Sequence, residues 1–394
     1  MPSELRHPAA EVDAATAEHL LTHRRELHAA PELSFKELET AHYIAERLEA
    51  LAPDRLEAAV GGTGVVADIR GARPGRSVLV RADMDGLPIQ EASDLPFRSG
   101  RRGVMHACGH DVHMAIALEV ARAMSEQRAG FSGLVRFAFQ PAEETAGGAK
   151  LMIDAGVLDG VDRLIGLHVW SQLPVGQVCV RPGAIMASAD WFTLTVRGKG
   201  GHGAIPEVTV DAVVIAAQVV TALQTLVSRE TSPRSPVVVT LGSIHGGTAF
   251  NVIAGEVVIE GTLRTFDAQL RDRLLQRMAE LGDGIARAMR GACEFQLRSA
   301  SPPVVNDASI ASLVAGTAGA ILGEDAVVPF EPLMVGEDFS YFLQARPGCF
   351  FLLGGAPEGP PVGHHTAEFR IDERCLPIGF RVMTAAVLRL LEPD

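Results

Sequence analysis

The 394-residue chain has no excess of positive charge. Its 35 Lys and Arg stand against 48 Asp and Glu, a formal charge of −13. That balance excludes a phosphate-neutralising nucleic-acid surface and attraction to anionic lipid. Long apolar runs are missing as well, and no stretch suffices to span a bilayer. The start, from Met1 to Pro8, lacks the basic-then-apolar order of a secretory leader. Cysteine is scarce, scattered and odd in number, at Cys108, Cys179, Cys293, Cys349 and Cys375. Such a set is no disulfide framework, and a reducing, cytoplasmic setting is expected. Repeats, low-complexity segments and charge runs long enough to form an interaction tail are absent too.

What is present suits a turn-rich α/β protein. Hydrophobic residues make up 47% of the chain, with 40 Gly and 23 Pro. The length predicts two domains. Residues 13–52 carry Leu20, Leu21, Leu27, Ile44, Leu48 and Leu51 at helical spacing, interrupted near Pro31. Apolar strands then alternate with helical patterns: 65–69, 78–82, a helix around Ile116–Ala121, 134–139, and 164–168. This order predicts a mostly parallel sheet, whose ligands gather at the carboxyl ends of its strands. From about residue 185 the pattern changes to β-α-β-β-α, close to a split β-α-β sandwich. After Ser301-Pro302-Pro303 the first pattern resumes. The expected architecture is a catalytic domain of residues 1–184 and 299–394, with an inserted two-layer, ferredoxin-like α+β lid of residues 185–298.

Chemistry-bearing residues collect at the predicted strand ends. Met105-His106-Ala107-Cys108-Gly109-His110-Asp111-Val112-His113 concentrates a thiol and three imidazoles before a helix. A Cys-x-His turn can aim both side chains at one point and suits a borderline metal such as zinc, cobalt, nickel or manganese. His106 and His113 are expected either to support such ligands or to pack. Glu143-Glu144 follows Pro141 at the end of another strand. One carboxylate can bind metal while the other acts as a general base. His168 closes Leu164-Ile165-Gly166-Leu167, and Asp83 and Asp85 follow a third strand, where a carboxylate can orient a ligand imidazole.

These residues belong to longer segments that resemble the dinuclear-metal aminoacylase/carboxypeptidase family. The resemblance is to its amidohydrolase branch of hippurate hydrolases, N-acyl-amino-acid amidohydrolases and indole-acetyl-amino-acid hydrolases. Matching segments include Arg81-Ala82-Asp83-Met84-Asp85-Gly86-Leu87-Pro88, Met105–His113, and Phe139-Gln140-Pro141-Ala142-Glu143-Glu144. Others are Gly166-Leu167-His168-Val169-Trp170, Gly198-Lys199-Gly200-Gly201-His202, Phe250-Asn251-Val252-Ile253, Gly261-Thr262-Leu263-Arg264 and Gly336-Glu337-Asp338-Phe339-Ser340. The resemblance runs in order over nearly the whole chain.

It implies two divalent metal ions (Zn, Mn, Co or Ni) held by Cys108, His110, Glu144, His168 and a C-terminal histidine. Cys108 would bridge them, and Glu143 would be the general base. His202 would polarise the scissile carbonyl, while Asn251 and Arg264 would hold the substrate. Gly363-His364-His365-Thr366 offers two candidates for the last ligand, and counting back from Phe369 and Leu376-Pro377 favours His365. Gly86, Gly203 and Glu207 depart from the usual residues of the branch. The implied reaction is hydrolysis of a small-molecule N-acyl amino acid, with an aminopeptidase, a carboxypeptidase or an N-acetyl-diaminopimelate deacetylase as runners-up. The resemblance also suggests a homodimer or homotetramer, without nucleic acid or membrane. Two other readings of the residues stand beside it: a hydrolase with Cys108 as nucleophile, and a metal- or ligand-binding protein without turnover.

Overall fold

A computed structural model of the protein describes residues 12–360 and 362–393. The segment from Met1 to Pro8 lies outside the described residues. The chain forms two compact units. The first comprises Met1–Gly183, Val305–Glu331 and Asp338–Asp394, and the second Ala184–Val304 with Pro332–Glu337.

In the first unit, α1 (Ala14–Ala29) starts at Asp13, whose carboxylate accepts the amide of Thr16, an ordinary N-cap. The chain turns at Pro31 into α2 (Leu38–Glu49). The strands β1 (Arg55–Val60), β2 (Gly64–Arg70) and β3 (Arg73–Asp83) follow, then α3 (His110–Glu126), β4 (Ser132–Gln140), α4 (Gly148–Asp154), β5 (Arg163–Pro174) and β6 (Val178–Cys179). With the late strand Gly348–Ala356 they make one seven-stranded sheet, ordered β1-β2-β4-β3-β5-(348–356)-β6. The four central strands are parallel and the flanking pairs antiparallel.

A parallel sheet needs cover on both faces, and residues 77–83 of β3 are accordingly buried without interruption. One face is covered by α3 and the C-terminal helix Cys375–Leu391, whose Val382, Met383, Ala386 and Val387 share one core with Val78, Val80, Ile116 and Val120. On the other, Phe339 of the short helix Phe339–Ala345 packs against Phe350 over Gly166.

The second unit is a four-stranded antiparallel sheet under two helices. Its strands Ala189–Arg197, Val237–Gly246, Glu256–Thr265 and Ala292–Ser301 lie in the order second-third-first-fourth. With helices Ala212–Ser228 and Ala268–Ala288 this is the ferredoxin-like β-α-β-β-α-β arrangement. The sequence boundary at residue 298 fell inside the last strand. That strand pairs with the first as far as Ser301↔Ala189, so the chain stays with this unit through Val304. The segment Pro332–Glu337 also belongs to it: Leu333 bridges to Met186, and Gly336 lies so close to Ala189 that a Cβ there would meet its methyl at 2.3 Å. Among the described residues no helix is long and apolar enough to cross a membrane.

Candidate active site

The site grows from the carboxyl ends of β3, β4 and β5. Its first element is the turn into α3. Gly109 holds φ at +91°, and a Cβ there would lie 2.4 Å from Val169 Cγ1. Only glycine lets this turn press against β5 while carrying Cys108 and His110 on either side. His168 does not end its strand, since β5 continues to Pro174. It lies just beyond Gly166, the last residue paired with β3 (Arg81↔Gly166), and opposite Leu352 on the other side. The register therefore stops on the β3 side where the imidazole is needed.

Two of the groups in which candidate ligand atoms converge share Cys108. Ligand atoms of Cys108, His110 and His168 lie within 4.8 Å of one another, and so do those of Cys108, Glu144 and His365. Cys108 belongs to both. Its Sγ is 3.4 Å from His168 Nε2. His168 Nδ1 donates to the carbonyl of Val169 at 2.7 Å, which leaves Nε2 as the free lone pair. His365 Nε2 lies 3.3 Å from Glu144 Oε2. Its backbone has φ +59°, and its amide donates to the carbonyl of Ala107 at 2.9 Å.

His364 has a different role. Its Nε2 accepts the amide of Ser171 at 3.2 Å, and its ring stacks on Trp170 at 4.5 Å between centroids. Burial lowers its pKa to about 3, with His365 adding to the effect. Its Nδ1 stands 3.8 Å from Cys108 Sγ. His113 is fully engaged as well. Nε2 accepts the amide of Val169 at 2.9 Å, so Nδ1 carries the proton and donates to Asp83 Oδ1 at 2.6 Å. It braces the strand that bears His168. His106 is buried, and burial lowers its pKa to about 4.

Glu143 and Glu144 sit on a turn that the rest of the site holds by its amides. The Glu143 and Glu144 N–H groups donate to Asp85 Oδ1 and Oδ2, both at 3.1 Å. Asp85 also accepts from Ser34 Oγ at 2.7 Å and lies 3.3 Å from His110 Nδ1. One carboxylate thus backs both the imidazole and the acidic pair. Ala142, just before them, has φ +52°, a conformation that costs an L-residue about 1–2 kcal/mol. Beneath the turn, Arg81 bonds Asp83, Gln140 and Asp338, and Asp338 accepts the amide of Ala149. Sequence reasoning assigned no role to Arg81, Gln140 or Asp338. Arg81 carried the available signal, a charged side chain on an otherwise buried strand.

Carboxylates crowd the buried imidazole of His110. Asp83, Asp85, Glu143 and Glu144 approach His110 at 3.6, 3.3, 3.9 and 3.8 Å. Burial alone would depress His110, but Asp83, Asp85 and Glu144 outweigh it and push its pKa up to about 10. Burial, reinforced by Glu144, Glu143 and Asp83, drives the Cys108 thiol well above its ordinary value. Both ring nitrogens of His110 and Glu144 Oε1 are buried without a hydrogen-bond partner. Orphaned imidazole and carboxylate atoms beside a buried thiol, in a field that draws in positive charge, fit divalent cations.

His202, Asn251 and Arg264 lie in the second unit. His202 is exposed on a two-residue strand paired with Val252, and the amide of Gly203 donates to the carbonyl of Asn251 at 2.8 Å. His202 Nδ1 accepts the amide of Ala204 at 3.1 Å. The neutral ring therefore carries its proton on Nε2. Arg264 is partly buried on strand Glu256–Thr265, with its guanidinium 5.6 Å from the Trp191 ring centroid.

Known proteins match this chain. The family model described as Peptidase family M20/M25/M40 matches residues 79–389. An N-acyl-L-amino acid amidohydrolase of Geobacillus stearothermophilus is 47% identical over 284 residues, covering 72% of this chain and 76% of that protein. An N-acetylcysteine deacetylase of Bacillus subtilis is 39% identical over 380 residues, covering 96% and 99%. A solved Bacillus subtilis structure, described as a dinuclear metal binding peptidase from the M20 family, matches with a TM-score of 0.84 at 36% identity, covering 97% of this chain and 100% of that one. With an α/β sheet that gathers metal-prone side chains at its strand ends, and with these matches along nearly its full length, the chain belongs to peptidase family M20/M25/M40 and is a hydrolase of amide bonds.

Proposed function

We propose that the chain hydrolyses the amide of N-acyl or aryl-acyl amino acids, releasing a carboxylic acid and a free amino acid. The observation that carries this reading is the pair of ligand groups sharing Cys108, with Glu143 beside them. Cys108, His110 and His168 would hold one divalent cation, and Cys108, Glu144 and His365 the other. When bound, the ions supply Lewis acidity, which polarises a carbonyl and lowers the pKa of a water from about 15.7 toward about 7.

The remaining work falls to the protein. Glu143 takes the proton of the attacking water and returns it to the leaving nitrogen. Asp85 keeps Glu143 and Glu144 aimed by holding their amides. His202 offers Nε2–H to the developing oxyanion, the tautomer favoured by its bond from Ala204. Asn251 and the planar fork of Arg264 hold the free carboxylate of the amino acid.

A thiol-nucleophile mechanism needs a lowered thiol pKa. Burial and three nearby carboxylates move Cys108 the other way. A binding protein without turnover has no use for a base beside its ligands.

The test is a panel of N-acetyl, N-benzoyl and longer N-acyl amino acids, assayed on apoenzyme reconstituted with zinc, manganese, cobalt or nickel. Hydrolysis of at least one conjugate is expected, and Glu143→Gln should lower its rate by roughly two to four decades while metal stays bound. Near-normal turnover by Glu143→Gln, or activity that survives complete metal removal, overturns the mechanism. Heat of binding without product across the panel overturns the hydrolase reading of these substrates.

A further inference from the structure

The acidic turn is held by a second carboxylate that comes from far along the chain. Glu37 occupies the N-cap position of α2 but makes no side-chain cap to that helix. Its side chain is fully buried. Oε1 instead accepts the amide of Ala142 at 2.9 Å, and Oε2 accepts from Thr63 Oγ1 at 2.5 Å. Burial raises its pKa, and the bonds from Thr63 and Ala142 oppose that rise.

Three successive amides, those of Ala142, Glu143 and Glu144, thus all end on buried carboxylates: the first on Glu37, the next two on Asp85. Consecutive N–H groups around a left-handed residue form a concave anion-binding nest. Here the anions are the protein's own. Ala142 is the left-handed residue, at φ +52°. It is fully buried, so its amide would otherwise be left without a partner. A strained residue persists only where its surroundings over-determine it: Glu37 takes the Ala142 amide, while the Ala142 carbonyl accepts from the amides of Gly147 and Gly148 and from Thr145 Oγ1.

We propose that Glu37 is a positioning residue for catalysis: by fixing the strained Ala142 it sets the direction in which Glu143 leaves the turn. This inference rests on the reading of Glu143 as general base. It assigns a kinetic role to an otherwise unexplained buried carboxylate outside the two ligand groups.

The test combines substitutions at Glu37 with Ala142→Gly, measured in the metal-reconstituted enzyme on whichever N-acyl amino acid it cleaves. Glu37→Gln keeps an acceptor for the Ala142 amide, and the Thr63 hydroxyl can turn to accept from the new NH2. Its kcat should stay within about threefold of wild type, since the geometry survives. Glu37→Ala should lower kcat by roughly 10²-fold, the loss expected from a misplacement of about 1 Å, with KM changed little. Ala142→Gly, which makes the left-handed conformation unstrained, should restore a large part of kcat in the Glu37→Ala background. If Glu37→Ala does not fold, Glu37→Asp, which withdraws the carboxylate by one methylene, takes its place in the same pair.

Wild-type kcat in Glu37→Ala or Glu37→Asp, alongside an inactive Glu143→Gln, overturns the positioning role and leaves the base intact. A kcat loss that Ala142→Gly does not relieve overturns it too, because general structural damage would not depend on φ at residue 142. Normal turnover by Glu143→Gln removes the base and this inference together.

Discussion

Gly109→Ala is the sharpest test of how the site is assembled, because two separate costs can be read from one position. The first is conformational. At φ +91° an alanine must hold a left-handed backbone, which costs about 1–2 kcal/mol. The second is steric. The new methyl would sit 2.4 Å from Val169 Cγ1, and the buried Val169 follows His168 directly. Overpacking of this kind costs about 1–3 kcal/mol. Stiffening of the unfolded chain by alanine offsets about 0.4–1 kcal/mol. A net loss of roughly 2–4 kcal/mol is expected, seen as a drop in melting temperature of roughly 5–15 °C.

Gly103→Ala provides the control. Gly103 also has positive φ, at +73°, but nothing lies within 4 Å of a Cβ there. It should show only the conformational cost, about 1 kcal/mol. The assays are thermal unfolding of both apoproteins and titration of each with cobalt, followed by the thiolate-to-metal absorption of Cys108. Gly109→Ala should weaken cobalt binding by at least tenfold, because the clash forces apart the turn bearing Cys108 and His110 and the strand bearing His168. Gly103→Ala should bind as wild type does. Equal destabilisation by the two substitutions, or wild-type cobalt affinity in Gly109→Ala, would refute the claim that this contact sets the ligand geometry.

Three further outcomes are expected. Removing metal with a chelator should abolish hydrolysis and lower the melting temperature, and readdition at 100 times Kd should return about 2.7 kcal/mol per independent site. A melting temperature indifferent to metal would exclude these residues as a ligand set. In the apoprotein at pH 8, Cys108 should alkylate much more slowly than a free thiol, because burial and its carboxylate neighbours hold it protonated; rapid labelling, read by peptide mass spectrometry, would contradict that. Finally, the buried cluster of Arg24, His28, Glu91 and Asp111 predicts acid lability. Burial opposes ionisation of Glu91 and Asp111, but His28 with Ser93 and Ser99 brings Glu91 down to about 2, and Arg24 with His28 brings Asp111 lower. Depressed carboxylates stabilise the fold above their unfolded values near 4 and lose that contribution as pH falls toward 2. Urea midpoints should therefore decline across that window, and Glu91→Gln should flatten the decline.

Some of this site is legible in the sequence for a physical reason. A parallel strand buried on both faces is a short apolar run, so a polar residue within it or just after it stands out, as Asp83, Glu143 and His168 do. The helix after Cys108-Gly109-His110 is similarly plain, because its residues Val112–Ala121 are almost wholly buried. Strands with one exposed face are much less visible. Arg55–Val60 and Ala292–Ser301 are largely polar or half exposed, and neither was expected as a strand. That is why the boundary fell at residue 298, within the second of them.

Long-range supports are hidden more deeply. Glu37 reaches an amide 105 residues away, and in sequence it is one acid among several at a helix start, where a carboxylate ordinarily complements the helix dipole. His113 looks like a third metal ligand in the Cys/His cluster, yet the Val169 amide and Asp83 already occupy both its nitrogens. His364 and His365 make the same point between adjacent residues. No local pattern separates them. Trp170 and Ser171 take the ring of one, and the left-handed backbone of the other turns its imidazole toward Glu144. What an imidazole does here is decided by which of its two nitrogens the fold leaves unclaimed, a property of neighbours brought together by folding.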